Sequence, residues 1–86
     1  MVELKIADDV TVVVESGEKK SYSYTVLSGG QEVISYETSA DVRKPAGKVG
    51  LRNVIYRQVS GLDKQAIEIA LDTAVGKHKT AIEQLE

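Results

Sequence analysis

Residues 10–39 read VTVVVESGEKKSYSYTVLSGGQEVISYETS, and this stretch decides the fold. Residues 10–16 (VTVVVES) form the clearest strand signal. Val10, Val12 and Val14 fall on one face at a period of two, and Val13 falls on the other, so this strand is expected to be covered on both faces. Residues 21–27 (SYSYTVL) alternate in the same way and place Tyr22, Tyr24 and Val26 together. Residues 31–39 (QEVISYETS) resume the pattern, with Ile34 and Tyr36 on one face. The joins are short: Gly17-Glu18-Lys19-Lys20 reads as a polar hairpin loop and Ser28-Gly29-Gly30 as a tight turn. Strands joined by such short links become antiparallel neighbours, so the stretch predicts a meander.

Outward from this centre, residues 2–7 (VELKIA) add a strand carrying Val2, Leu4 and Ile6 on one side, and Asp8-Asp9 reads as a turn or bulge. On the other flank the alternation stops. Residues 40–50 (ADVRKPAGKVG) hold the only proline and two of the seven glycines, and read as a flexible basic loop or the tip of an extended hairpin. Residues 51–59 (LRNVIYRQV) then read as a last strand, with Leu51, Ile55 and Val59 on one side, closed by Ser60-Gly61. Residues 62–86 predict a helix. At about 100° per residue, Ile67, Ala70, Leu71, Ala74, Val75, His78, Ala81, Ile82 and Leu85 fall in one broad sector. The stripe keeps its phase across Gly76, which favours a continuous helix; the alternative is a helix ending near Val75 and a short strand through Ala81 and Ile82. The expectation is a single α+β domain spanning 1–86: an antiparallel sheet of four to five strands with one long C-terminal amphipathic helix packed on one face.

Composition narrows the function classes. The 86 residues are 42% hydrophobic and 28% charged, an ordinary globular balance that argues against disorder. No run approaches the roughly 18 apolar residues of a membrane span. Cysteine is absent, which removes disulfides, thiolate nucleophiles and cysteine-ligated metals. Phe and Trp are absent too, so the core must be built from the twelve valines, six leucines, six isoleucines and four tyrosines. The N-terminus has neither a basic n-region nor an apolar h-region, so a cytoplasmic location is the default expectation.

Catalytic signals are missing. His78 is the lone histidine and sits inside the apolar stripe, where a packed residue is expected rather than a base or ligand. There is no phosphate loop, dinucleotide fingerprint, His-Glu-x-x-His pattern or nucleophile elbow. The acids Asp8, Asp9, Glu15 and Glu18 lie in or beside turns and are expected to be solvated. The order strand, strand, strand, helix, with VVVESG at 12–17 and LRNV at 51–54, resembles the first half of a ribonuclease H-type domain. That resemblance implies acidic metal ligands on the first strand and first helix; here only Glu15 stands near the first position and Arg57 falls near the second. No enzyme, metal or cofactor is expected.

Charge placement is more telling than the net −2. Residues 1–42 carry eight acids against three bases, and 63–86 five acids against three. Residues 43–62 carry five bases and no acid. Arg43, Lys44, Lys48, Arg52 and Arg57, with Tyr56 among them, therefore form the candidate partner- or anion-binding segment. Its expected role is protein–protein contact in a small binding or assembly module, of the kind a virion-associated or inhibitor-like protein would be. The alternative is a single-stranded nucleic-acid-binding module, in which cations meet phosphates and Tyr56 stacks on a base. Against it stands a pI near 5.4, where such domains usually exceed about 9. On the back of the C-terminal helix, Leu62, Ala66, Ile69, Thr73, Gly76 and Thr80 are spaced four and three apart, and this heptad-like seam is the expected contact of a homodimer.

Overall fold

The computed structural model describes residues 1–85. Four strands come first, β1 (Val2–Ala7), β2 (Val10–Ser16), β3 (Tyr22–Ser28) and β4 (Gln31–Thr38), followed by two helices, α1 (Pro45–Gln58) and α2 (Lys64–Glu83). The strands make one antiparallel sheet in the order β1-β2-β3-β4, an α+β meander.

The turns explain the register. Gly29 and Gly30 stand at φ 60° and 80°, the left-handed pair that a two-residue hairpin link requires, and they leave Ser28 opposite Gln31. The longer link from β2 to β3 is closed by a Gly17 N–H to Ser21 O bond of 2.8 Å and holds Lys19 and Lys20 at φ 52° and 62°. A left-handed non-glycine residue costs roughly 1–2 kcal/mol, so this loop is strained. With register set, one face of the sheet is apolar along continuous rows. Leu4, Val12, Val26 and Ile34 form one row, and Val2, Val14, Tyr24 and Tyr36 the next. All but Ile34 and Tyr36 are buried, and each fully buried side chain of this size contributes about 1.5–3 kcal/mol. Tyr24 and Tyr36 pack ring to ring, with centroids 5.6 Å apart.

Both helices pack on that face. Leu51 and Ile55 of α1, and Ile67, Leu71, Ala74, Val75 and Ile82 of α2, join the strand residues in one buried cluster. The opposite face carries Glu3, Lys5, Thr11, Val13, Thr25 and Ser35. Val13 is only half-buried there, so β2 is covered on one face and not on both.

Two expectations are corrected. Residues 51–58 are helix, not a fifth strand, and residues 45–50 are the first turns of that same helix rather than part of a loop or hairpin tip. The spacing misleads because Leu51, Ile55 and Val59 are four apart, an even number for a strand and about one turn for a helix. Strand alternation fails at Asn53 and Arg57, which would lie among the apolar residues; a helix moves both off the buried side. The proline is also a start signal: it occupies the first turn of α1, where its missing N–H has no partner to lose. With LRNV inside a helix, the strand order that resembles a ribonuclease H-type domain is not present.

Helix α2 starts on an N-cap, with Asp63 Oδ1 accepting from Ala66 N at 2.7 Å. It runs through Gly76 without ending, as the unbroken stripe predicts, but kinks two residues later at His78 (φ −114°, ψ 17°). Beyond the kink Ile82 stays buried and Ala81 turns to solvent, so Ala81 leaves the predicted stripe. The last residue of the predicted helix span, 86, lies outside the described residues.

Candidate functional site

The link from β4 to α1 is built on two tyrosines. Tyr24 Oη donates to Ala40 O at 2.8 Å and accepts from the buried Val42 N at 3.1 Å. Asp41 closes the turn: its carboxylate accepts from Arg43 N at 2.9 Å, and its carbonyl from Lys44 N. Arg43 folds back on the same carboxylate, with Nη2 2.6 Å from Oδ2, and its guanidinium also donates to Tyr22 Oη at 3.2 Å. Hydrogen bonds from Arg43 hold the Asp41 carboxyl below its ordinary value, against the opposing effect of burial. Arg43 is therefore part of the joint between sheet and helix.

The next three candidates lie one turn apart along α1, and each meets a residue of α2. Lys48 Nζ bonds Asp72 Oδ1. Arg52 Nη1 lies 3.3 Å from Glu68 Oε2, while Nη2 donates to Asn53 Oδ1 at 3.1 Å. The Tyr56 ring receives Lys64 Nζ at 5.1 Å from its centroid. As the α1 position advances by four, the α2 position falls by four. The helices are thus antiparallel and in a fixed register, stapled by a ladder of two ion pairs and one cation–π contact. Arg52 and Tyr56, four residues apart, share one side of α1.

The structure therefore spreads the six candidates instead of converging them. Arg43 is engaged at the sheet joint, and Lys48, Arg52 and Tyr56 at the helix seam. Lys44 and Arg57 are exposed and make no ion pair among the described residues. Sequence reasoning missed the answering residues Lys64, Glu68 and Asp72. Their spacing of four repeats that of Lys48, Arg52 and Tyr56, but nothing in the sequence says that the two series face each other.

The outer surface of the helices is more apolar than its charges suggest. Val49 and Tyr56 of α1 are 39% and 45% exposed, and Ile69 of α2 is 59% exposed. The seam predicted on α2 lies on its outward crest: Ala66, Ile69, Thr73, Gly76 and Thr80 are exposed, and Leu62 is half-buried against the core. A Cβ placed on Gly76 would meet nothing within 4 Å, so this part of the crest is open. His78 is half-buried and borders a shallow cleft between β1 and α2 with Glu3, Lys5 and Lys77. Among the described residues no three His, Asp or Glu side chains gather in a way that could hold a metal, and no helix is long and apolar enough to cross a membrane. No protein-family model, curated protein or solved structure matches the chain.

Proposed function

We propose that the chain is a non-catalytic binding or assembly module that meets a protein through the outward side of its two helices. The observation that carries this reading is the placement of Val49, Tyr56 and Ile69, three large apolar side chains left in solvent on one layer of the molecule. Lys44 and Arg57, which make no ion pair among the described residues, stand at the two ends of α1 and suit an acidic rim on the partner. The homodimer is the simplest form of the reading. Two copies would pack crest to crest along Ala66, Ile69, Thr73, Gly76 and Thr80, with Leu62 at the end, and the bare Gly76 would allow close approach.

Sedimentation equilibrium tests it. A concentration-dependent doubling of mass that Ile69→Lys abolishes supports the dimer. A monomer at every concentration removes the dimer and leaves a foreign protein partner. Capture of the same partners by a Lys44→Glu/Arg57→Glu variant would then count against the basic rim.

The nucleic-acid alternative has less support. Arg43, Lys48 and Arg52 already answer Asp41, Asp72 and Glu68, so few cations remain for phosphates.

A further inference from the structure

The two edges of the sheet are not alike. β1 is short, carries Lys5 near its middle, shifts register between Lys5 and Ala7, and has α2 packed over it. A central lysine is a usual means of keeping an edge from pairing; the bulge is common to both edges, since β4 has one at Val33. β4 has eight residues, with no Lys, Arg or Pro. It ends the strand order, and among the described residues no backbone group of Gln31–Thr38 bonds anything on its outer side. Its one register shift lies near its start, opposite Val26 and Leu27, so the stretch from Ile34 to Thr38 is regular.

The two faces of this edge ask for different side chains. On the helix face Ile34 and Tyr36 are only half-buried, at the open end of the apolar rows they belong to. On the other face lie Glu32, paired with Leu27, and Glu37, paired with Ser23. Both acids are exposed, and no base lies between Tyr22 and Thr38 to answer them. Ser21 Oγ donates to Glu37 Oε1 at 3.0 Å, which steadies that carboxylate without neutralising it.

We infer that the outer edge of β4 takes up an extended segment of a basic polypeptide as a fifth strand. Backbone hydrogen bonds to β4 supply the attachment, and side chains on the incoming strand alternate. Apolar ones cover Ile34 and Tyr36, and Lys or Arg residues meet Glu32 and Glu37. A second copy of this chain is the poorer occupant, because pairing β4 with β4 puts four acids on one seam with no base among them. The site is separate from the helix surface proposed above.

The test uses a fluorescent peptide of alternating valine and lysine, a twin with glutamate for lysine, and a twin N-methylated on alternate residues. The expected result is binding of the valine–lysine peptide by fluorescence anisotropy, with slowed hydrogen exchange at β4 amides. Both twins are expected not to bind, and a Glu32→Lys/Glu37→Lys variant to bind about tenfold or more weakly. Ile69→Lys leaves the affinity unchanged, so failure of the helix-surface reading does not touch this one. No binding of the valine–lysine peptide overturns the inference. So does equal binding of the N-methylated twin, which would mean charge attraction without strand pairing. Self-association of the chain alone that protects the same β4 amides overturns it in favour of a second copy.

Discussion

Tyr24 does more than fill the core, because its hydroxyl is the acceptor for the buried amide of Val42. Tyr24→Phe keeps the ring and removes the acceptor, so a cost of about 1–3 kcal/mol is expected in urea unfolding. Desolvation raises the Tyr24 phenol well above its ordinary value and pushes that of Tyr36 up to about 12. The folded state thus favours the neutral phenols. Their contribution is fully present below the ordinary value of 10.0 and is lost as pH climbs toward and past 12. Alkaline unfolding followed by circular dichroism should track late phenolate absorbance, and Tyr36→Phe should weaken the pH dependence in that range. The glycines give a second contrast. A Cβ on Gly47 would run into the Asp41 carbonyl, whereas Gly50 and Gly76 have open space around theirs. Gly50→Ala and Gly76→Ala are expected to stabilise by about 0.5–1 kcal/mol. Gly47→Ala, the same change in the same helix as Gly50, is expected to destabilise by about 1–3 kcal/mol. Thermal melts of the three variants give the signs directly. None of these neighbours can be read from the sequence, since Val42 and Tyr24 are 18 residues apart.

Elements were legible where one face is buried and one is open. Alternation identified all four strands because a one-residue slip would turn Val10, Val12 and Val14 of β2 to the wrong side. The stripe identified α2 for the matching reason at period 3.6. The same logic failed at 51–59, where a spacing of four satisfied both periods and the polar Asn53 and Arg57 had to decide. The seam between α1 and α2 shows how charge serves an element pair. Exposed ion pairs are worth only about 0.2–1 kcal/mol each, so Lys48–Asp72 and Arg52–Glu68 set register more than they add stability. Reversing α1 alone, with Lys48→Glu and Arg52→Glu, faces acid with acid and is expected to cost more than alanine at both sites, most of all at low salt. Adding Asp72→Lys and Glu68→Lys should restore most of the loss. Restoration by the fourfold variant, measured by urea midpoint, checks the antiparallel register; no recovery would count against it.

At the scale of the whole molecule, segregated charge becomes mutual neutralisation. A +5 segment lies between acidic flanks in the sequence, and in the fold three of its cations lie against acids from both sides. The electrostatic footprint available to a polyanion shrinks accordingly. Fluorescence anisotropy with short single-stranded DNA and RNA is therefore expected to show no specific binding even at about 50 mM salt, where such contacts are strong. Tight binding with a steep salt slope would revive the nucleic-acid reading. What remains outward is apolar at Val49, Tyr56 and Ile69 on the helices, and on β4 it is Val33 beside the acids Glu32 and Glu37.

By itself, the sequence determined the antiparallel meander and the C-terminal helix, because periodicity and turn chemistry are local and one face must be buried. It also determined the inventory: no thiol, one histidine, four tyrosines and a run of unmixed cations. Only the tertiary structure decided that residues 45–58 are helical, that α1 and α2 are stapled at positions 48 and 72, 52 and 68, and 56 and 64, and that β4 is an outer edge of the sheet. Those outcomes depend on which surfaces meet across long sequence separations, and pairing energies of that kind leave no periodic trace in the chain.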